Sequence, residues 1–418
     1  MKKSISLLLM LALILSVFAL VGCGNEGGTE GDELTVCVVV PTGFGDKSFN
    51  DSAKEGAERL KADLGVTVKY IECKNENHKQ QMMNAADEAD IVVPVGWEFW
   101  EITDVAAEYP DTKFIWVDNV ADGLENLPNV LCITYAQNEG SFLAGYIAAK
   151  MSTTGVVGAV GGQDNATIND FFAGYEQGAK YANPDVKFVK NYVPGENGFE
   201  DPAGGKECAQ ALHDKGADVI FQVAGNSGNG VFEAAQEGGF YAFGVDMDQK
   251  ISAPEFDDVI IGSMVKEVGD SIYDAIKKYI EEESFEGGRN WVADMATGYI
   301  AIAYGDENST QQVSEDLKAE AEDLAQKIIA GEIPSKKVYE DDDVYAFYDI
   351  DPQAPTHFLV IPKQHIPSAA AVTPENSIVV AKCFEAIAKI AKDMGMESFR
   401  VVSNIGEQAQ QSVFHLHL

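Results

Sequence analysis

The chain has 418 residues, 46% of them hydrophobic, and a formal net charge of -37 at pH 7. This length and apolar fraction support two or three packed domains and exclude a chain that is disordered throughout. Because the negative charge is spread along the chain, nucleic acid and anionic lipid surfaces are poor partners for it.

The N-terminus has the pattern of a secretory leader. Two lysines precede an apolar run over residues 5–21, and Gly22 and Cys23 come next, before a polar stretch. The run is slightly shorter than the roughly 20 apolar residues that span a bilayer, which favours a cleaved signal peptide over a retained transmembrane anchor. Its end resembles a bacterial lipobox, which implies that Cys23 becomes a diacylated N-terminus. We predict a signal peptide over residues 1–23.

The mature chain would then be held on the extracytoplasmic face of the cell membrane. Two acyl chains on one cysteine are sufficient for stable anchoring. The Gly-rich residues 24–33 predict a flexible tether between the lipid and the folded protein.

Residues 34 to about 305 alternate between short β-branched runs and amphipathic helical stretches. Strands are predicted at 36–40, 66–70, 91–93, 114–117, 156–160, 219–223 and 240–245, with helices over 52–64 and near 79–89. Runs that are apolar along their whole length are typical of parallel sheets covered by helices on both faces. The pattern restarts near residue 156, which predicts two α/β lobes over residues 34–333. Two such lobes behind a lipid anchor indicate an extracytoplasmic solute-binding protein of the type I periplasmic-binding-protein-like fold.

Five cysteines remain beyond the lipobox. They show no close pair and no spacing typical of metal ligands, so we predict buried small hydrophobic residues rather than disulfides: Cys37, Cys73, Cys132, Cys208 and Cys383. No metal site and no cofactor are predicted.

Candidate binding residues follow the predicted strands, because ligands of such sheets bind beyond the carboxyl ends of the strands. Aromatic faces and scattered carboxylates in these segments suit a flat base joined to a sugar. The alternative interpretations are that Asp246 is only a polar residue at a strand end and that Phe49 is only part of the core. The segments are Gly43 to Ser52, Asp118-Asn119, Gly161 to Asp164, Phe171 to Tyr175, Gly225 to Gly230 and Asp246 to Gln249.

The order of these segments resembles the basic membrane protein family of purine-nucleoside-binding lipoproteins. The resemblance runs from Leu34 to about Ile333. It rests on Asp46-Lys47-Ser48-Phe49-Asn50, Gly140 to Gly145, Phe171 with Gly174-Tyr175, the Gly225 to Gly230 loop, Gly244 to Gln249 and Ser263 to Lys266. It implies a substrate-binding protein that serves the membrane permease and ATPase of an ABC transporter.

The resemblance also assigns roles to individual residues. It implies a purine stacked between Phe49 and Phe171, with Asp46 and Asn50 at the base edge. It implies that the ribose hydroxyls are held by Asp118, Asp246 and Lys266. A structural salt bridge is the alternative role for the lysine. The acidic pocket favours nucleosides over nucleotides.

The Gly225 to Gly230 loop contains Gly228, which we include among the ligand-binding residues. The loop is rich in glycine but lacks the Lys and Ser/Thr of a P-loop. Close helix packing against the pocket is therefore the preferred interpretation of its glycines.

A charged amphipathic helix is predicted over 315–330, and a different sequence character follows it. Residues 334–418 resemble a histidine-triad (HIT) nucleotide hydrolase, a small α+β domain. The resemblance rests on Phe347-Tyr348-Asp349-Ile350, Pro355-Thr356-His357-Phe358-Leu359-Val360 and Gln411-Ser412-Val413-Phe414-His415-Leu416-His417.

The HIT resemblance implies that His417 is the nucleophile on a phosphorus atom. Its orientation would depend on His415, His357 and Ser412, and the nucleoside would contact Asp349, Ile350 and Asn404. Alternate residues of a strand project from one face, so histidines spaced by two can face one phosphate.

The sequence departs from the HIT pattern at its end. A third motif histidine does not follow His417, and Gln410 stands where the phosphate loop usually has glycine. We expect an incomplete domain with unpaired edge-strand groups, low stability and impaired hydrolysis.

The sequence of residues 326–333 matches both the end of a binding lipoprotein and the start of a HIT domain. A gene fusion and a mis-assembled sequence are therefore both retained as explanations of this join. The leading function is a lipid-anchored nucleoside receptor without chemistry of its own. The alternative is a nucleotide phosphoramidate or phosphate hydrolase. A lipoprotein sensor or surface antigen without transport is a third possibility.

Overall fold

The computed structural model describes residues 34–418 except for 75, 334–336, 341–342, 349–355, 375, 395, 397, 407–408 and 410–415. The strands are β1 Thr35–Val40, β2 Thr67–Glu72, β3 Ile91–Pro94, β4 Lys113–Val117, β5 Val130–Tyr135, β6 Val156–Gly161, β7 Lys187–Tyr192, β8 Val219–Val223, β9 Tyr241–Asp246, β10 Ile260–Lys266, β11 Arg289–Ala293, β12 Ile300–Ala303, β13 Lys337–Glu340, β14 Val344–Tyr348 and β15 Phe358–Pro362. The helices are α1 Phe49–Leu64, α2 His78–Ala86, α3 Ile102–Glu108, α4 Gln137–Met151, α5 Ala166–Ala182, α6 Pro202–His213, α7 Gly228–Gly238, α8 Gln249–Ser252, α9 Val268–Glu282, α10 Glu315–Ile329 and α11 Ser377–Asp393.

Two parallel sheets form two lobes. Within the described residues, lobe 1 is built on a sheet of six strands in the order β11-β5-β4-β3-β1-β2. Lobe 2 has six strands in the order β12-β10-β9-β8-β6-β7, with β12 alone antiparallel to its neighbour. Strands β1, β3 and β4 are almost entirely buried, as expected for strands covered on both faces. This arrangement confirms the predicted two-lobed α/β fold.

The chain passes between the lobes at three points. Helix α4 follows β5 of lobe 1 but packs on α5 in lobe 2, and α9 follows β10 of lobe 2 but packs on α1 in lobe 1. Strand β11 then completes the first sheet, and β12 completes the second. Each lobe therefore contains elements from both halves of the sequence.

Helix α1 shows how the local sequence determines these elements. Its buried face carries Ala53, Ala57 and Leu60 at helical spacing. It ends at Gly65, which has a φ of 67° and adopts the left-handed conformation that glycine tolerates. The predicted start at Ser52 was late by three residues, because the helix begins at Phe49.

Residues beyond 333 form a small α+β unit. Strands β13, β14 and β15 make an antiparallel sheet, and α11 packs on it through Cys383, Ile387 and Ile390. The Leu418 N–H donates to the Val360 carbonyl at 3.1 Å, and the Val360 N–H donates to the Leu418 carbonyl at 3.0 Å. These backbone groups are paired. The predicted unpaired edge stays a prediction, because residues 410–415 of the last motif lie outside the described residues.

The five cysteines beyond Cys23 are buried and free, as predicted. No helix in the described part of the chain combines the length and apolar character needed to cross a membrane. Cys23 itself, and the whole predicted signal peptide and tether, lie outside the described residues.

Candidate functional site

A cleft lies between the two lobes, where the carboxyl ends of their strands face each other, and it contains about 690 Å³ of empty space that includes its opening to solvent. Its position agrees with the general rule for ligand sites in parallel sheets. The predicted residues that line it are Asp46, Phe49, Asn50, Asp118, Phe171, Asp246 and Lys266. Sequence positions more than 200 residues apart therefore meet in one site.

Asp46 organises the loop that follows β1. Its carboxylate accepts hydrogen bonds from the backbone N–H groups of Ser48 at 3.1 Å, Asn50 at 2.9 Å and Asp51 at 3.1 Å. These N–H groups lie at the N-terminus of α1, where they have no helical partner. Burial raises the pKa of Asp46 to about 7, although these three hydrogen bonds oppose the rise. The residue lines the cavity and also holds the first turn of the helix in place.

Asn50 presents a hydrogen-bond acceptor that the protein does not use. Its Nδ2 donates to Thr42 Oγ1 and to the Gly43 carbonyl, both at 2.9 Å. These two acceptors fix the orientation of the amide, so Oδ1 takes the opposite side. Oδ1 is buried and has no hydrogen-bond partner among the residues that the structure describes. A buried acceptor of this kind is costly unless a ligand or water satisfies it.

Lys266 forms the charged centre of the cavity. Its Nζ lies 2.8 Å from Asp118 Oδ2 in lobe 1. The same Nζ lies 4.8 Å from the ring centroid of Phe49, 5.4 Å from that of Phe171 and 4.8 Å from that of Tyr135. The predicted alternative, a salt bridge, is therefore present within the same cavity that holds the candidate ligand residues.

Asp246 lies opposite, at the end of β9. It is buried, which raises its pKa, while Lys266 and a hydrogen bond from Ser48 oppose the rise. Ser48 Oγ donates to Asp246 Oδ2 at 2.5 Å and joins lobe 1 to lobe 2. Asp246 and Asp118 both have positive φ angles, 65° and 73°. Such backbone strain concentrates at functional sites.

Lys47 adds a second connection between the lobes. Its carbonyl accepts hydrogen bonds from Gln249 Nε2 at 3.0 Å and from Ser252 Oγ at 3.1 Å. Its Nζ forms an ion pair with Glu255. The lobes are thus in direct contact beside the cavity.

Two acidic residues of the cavity were missed from the sequence. Glu98 follows β3 and lies in the sheet order between the segments that carry Asp46 and Asp118. Burial raises its pKa to about 7, and the nearby Asp118 carboxylate adds to the rise. Glu200 lines the cavity from lobe 2 and accepts a hydrogen bond from Asn226 Nδ2 at 3.2 Å. The strand-end rule, applied to β3, would have found Glu98; no comparable signal marks Glu200.

The glycines of the Gly225 to Gly230 loop have two different roles, since one lines the cavity and two allow a helix to pack closely. Gly225 lines the cavity, but the predicted ligand residue Gly228 does not lie among the lining residues. A Cβ on Gly228 would lie 2.0 Å from Gln222 Oε1, and one on Gly230 would lie 1.8 Å from the Pro202 carbonyl oxygen. These two glycines therefore permit close packing of α7.

The HIT residues are only partly described. Asp349, Ile350, Ser412 and His415 lie outside the described residues. His417 lies beside β15 through the pairing of Leu418 with Val360, and β15 begins one residue after His357. Asn404 is half-buried in the segment after α11. Within the described ranges, no group of three or more His, Cys, Asp or Glu side chains is placed to hold a metal ion.

Comparisons with known proteins agree with this geometry. Residues 33–338 match a family model described as ABC transporter substrate-binding protein PnrA-like, and residues 330–418 match the HIT domain. Basic membrane protein A of Borreliella burgdorferi is 31% identical over 79% of this chain and 96% of its own length. Basic membrane protein D of Borreliella burgdorferi strain JD1 is 33% identical over 78% of this chain and 95% of its own.

Comparison with solved structures also identifies a similarity to ABC transporter solute-binding proteins. A solved ABC transporter solute-binding protein from Aeropyrum pernix K1 is 28% identical with a TM-score of 0.64, over 74% of this chain and 94% of that protein. The chain therefore belongs to the Bmp family of PnrA-like ABC transporter substrate-binding proteins and carries a HIT-domain sequence in its last quarter.

Proposed function

We propose that the protein is a lipid-anchored, extracytoplasmic receptor that binds purine nucleosides and delivers them to the permease and ATPase of an ABC transporter. The membership in the Bmp family supports the transport role. The names of the relatives, basic membrane proteins, support a membrane location, and the lipobox wording at Cys23 supports a lipid anchor.

One observation carries the nucleoside assignment. Phe49 from lobe 1 and Phe171 from lobe 2 line the same cavity as the Asp118, Lys266 and Asp246 cluster. Two aromatic rings from opposite lobes can enclose a flat base, while adjacent carboxylates accept hydrogen bonds from vicinal ribose hydroxyls. A purine nucleoside has both parts.

Phosphorylated ligands fit less well. Lys266 is the single cationic side chain among the described residues that line the cavity, and Asp118 already neutralises it. A phosphate would meet several carboxylates without a free cation to offset its charge. The chemistry of the site therefore favours nucleosides over nucleotides.

The test is titration calorimetry of the full chain in detergent with adenosine, guanosine and inosine. Micromolar or tighter binding of at least one nucleoside is expected. Phe171→Leu should weaken that binding about tenfold or more, because base–aromatic stacking contributes about 1–3 kcal/mol per base.

Phe384→Leu is the matched control, since Phe384 is 51% exposed on α11 and remote from the cavity. Its affinity should equal that of the unmodified chain. No heat of binding at micromolar concentrations of any of the three nucleosides would end this proposal.

A second candidate function, hydrolysis of nucleotide phosphoramidate or phosphate bonds, is supported by the HIT match over residues 330–418. The His417 imidazole would attack the phosphorus and form a P–N bond while the bond to the leaving amine or phosphate breaks, and water would then hydrolyse this intermediate and release the histidine. The sequence holds His415 and His417 of the motif. Turnover of an adenosine phosphoramidate by the full chain should disappear in His417→Ala, and equal rates would contradict the hydrolase assignment.

A further inference from the structure

Carboxyl groups outnumber cationic side chains among the described residues that line the cavity. One lysine lines it in the described structure, against the five carboxyl groups of Asp46, Glu98, Asp118, Glu200 and Asp246. The lysine forms its ion pair with Asp118 and also acts on Asp246. Asp46, Glu98 and Glu200 thus have no cation beside them in the cavity lining.

Two of these three carboxyl groups have raised pKa values. The pKa of Asp46 and that of Glu98 are each raised to about 7, mainly through burial. Asp118 adds to the rise at Glu98 through charge repulsion. A ligand that brought positive charge next to these groups would favour their ionised forms.

The aromatic pair is already arranged around a cation. The Lys266 ammonium lies within 5.4 Å of the ring centroids of both Phe49 and Phe171. Distances below about 6 Å give the attraction between a cation and a ring face. The rings that would enclose a base are thus placed where they also stabilise positive charge.

The unpartnered Oδ1 of Asn50 provides an independent indication that a ligand with N–H donors fits here. Asn50 is only 4% exposed, and its buried Oδ1 has no hydrogen-bond partner in the described part of the chain. Because this oxygen is an acceptor only, it calls for a donor on the ligand. A guanine edge supplies such N–H donors.

We propose that the cavity binds cationic N-methylated purine nucleosides, exemplified by 7-methylguanosine, more tightly than their neutral counterparts, with Glu98 and Glu200 as the residues that determine this preference. The inference rests on the proposed nucleoside function. Methylation at N7 places a delocalised positive charge on a ring of nearly unchanged size. That ring would lie between Phe49 and Phe171, where the ring faces and the neighbouring carboxyl groups attract it. The Lys266 ammonium beside the two rings repels it, but Asp118 offsets that charge through its ion pair.

The test compares two ligands of the same shape. Titration calorimetry of the full chain near pH 6.5 uses 7-methylguanosine, which is cationic, and 7-deaza-7-methylguanosine, which is neutral, with guanosine as the reference. The cationic ligand should bind about tenfold tighter than its neutral isostere, a preference expected for a cation between two ring faces in a partly desolvated site.

Variants assign the effect to the two glutamates. The combined change Glu98→Gln and Glu200→Gln preserves side-chain size and should reduce the ratio of the two affinities to near one. Glu108→Gln is the control, because Glu108 is exposed on α3 and does not line the cavity. It should leave the ratio unchanged.

The outcomes separate this inference from the proposed function. Guanosine binding with equal or reversed affinities for the two methylated ligands overturns the cation preference and leaves the nucleoside receptor intact. Rejection of both methylated ligands by a chain that binds guanosine overturns it as well, since the cavity would not admit the ligand class. Failure of guanosine and of both methylated ligands removes the proposed function together with this inference.

Discussion

Replacing Lys266 by methionine is expected to lower the free energy of unfolding by about 3 kcal/mol near pH 8, because it leaves buried carboxylates without their cation. Lys266 is 1% exposed and Asp246 is 7% exposed, so water offers little compensation. The change should also lower nucleoside affinity, since Asp118 loses the ion pair at 2.8 Å that holds it in the cavity.

The loss should depend on pH with a definite sign. Burial raises the pKa of Asp246, and Lys266 opposes the rise; without the lysine this pKa moves further above its value in the unfolded chain. The folded variant then binds a proton that the unfolded chain does not hold, so its stability increases as the pH falls towards the unfolded value. The deficit relative to the unmodified chain should therefore be larger at pH 8 than at pH 5.

Thermal unfolding followed by calorimetry at both pH values measures this difference. A shift of several degrees in the midpoint is expected at pH 8, since about 1 kcal/mol corresponds to roughly 2–4 °C for units of this size. Adding Asp246→Asn to the Lys266→Met chain is the control, and it should remove most of the pH dependence. Equal midpoint shifts at pH 5 and pH 8 would show that the lysine acts through packing rather than through charge.

Much of the fold could be predicted because the central strands are uniformly apolar. Strands β1, β3 and β8 lie in the middle of their sheets and are buried along their whole length or nearly so, and such runs are easily recognised. The strand β7 lies at a sheet edge and mixes lysines with apolar residues. Its two exposed and four half-buried positions give no continuous apolar run.

The crossings between the lobes could not be predicted from local pattern. Strand β11 pairs with β5, which lies more than 150 residues earlier in the chain, and β12 pairs with β10 in the other sheet. Both are short, and each follows a helix or strand that has already crossed to the other lobe, as α4 and α9 do. Sequence periodicity shows which face of a helix or strand is buried, but it does not show which distant element that helix or strand contacts.

The start of α1 illustrates a boundary error with a physical cause. The apolar periodicity begins near Ser52, but the helix begins at Phe49. The carboxylate of Asp46 accepts backbone N–H groups in the first turn, which stabilises helical residues that contribute little to the buried face. The same interaction brings Phe49 and Asn50 onto the helix beside the cavity.

The candidate site was predicted from strand ends and from family motifs. Asp118 follows a predicted strand, Lys266 lies in a family motif and Asp246 has both features, and the structure brings the three residues together. Glu98 follows a strand but lies in none of the family motifs. Glu200 lies in a long connection just before a helix. Their place in the cavity depends on how the two lobes face each other, which single elements do not specify.

Replacing Gly178 by alanine is expected to destabilise lobe 2 and to weaken nucleoside binding in the same variant. Helix α5 crosses α4 so closely that a Cβ on Gly178 would lie 1.8 Å from the carbonyl oxygen of Phe142. Gly145 makes a similar approach at 1.9 Å to the Tyr175 carbonyl oxygen. Since these contacts are with backbone atoms, the helices must separate to admit the methyl group.

The alanine has two opposing effects on the free energy of unfolding, and their relative sizes decide whether the variant is more or less stable. Alanine favours a helix over glycine by about 1 kcal/mol, while overpacking that moves backbone typically costs about 1–3 kcal/mol or more. With an approach of 1.8 Å to a carbonyl oxygen, we expect the packing cost to exceed the helix gain. A net loss of about 2 kcal/mol should appear in thermal unfolding as a lower midpoint.

Binding should respond because Phe171 lies on the same helix, two turns before Gly178. A shift of α5 away from α4 moves this ring relative to Phe49, which belongs to lobe 1, and changes the spacing that encloses the base. Gly43→Ala is the stability control, since its Cβ would find its nearest neighbour, Glu72 Oε1, at an ordinary 3.7 Å. An unchanged or higher midpoint in Gly178→Ala would mean that α4 and α5 separate without a loss of stability. An unchanged nucleoside affinity would mean that α5 does not set the position of Phe171.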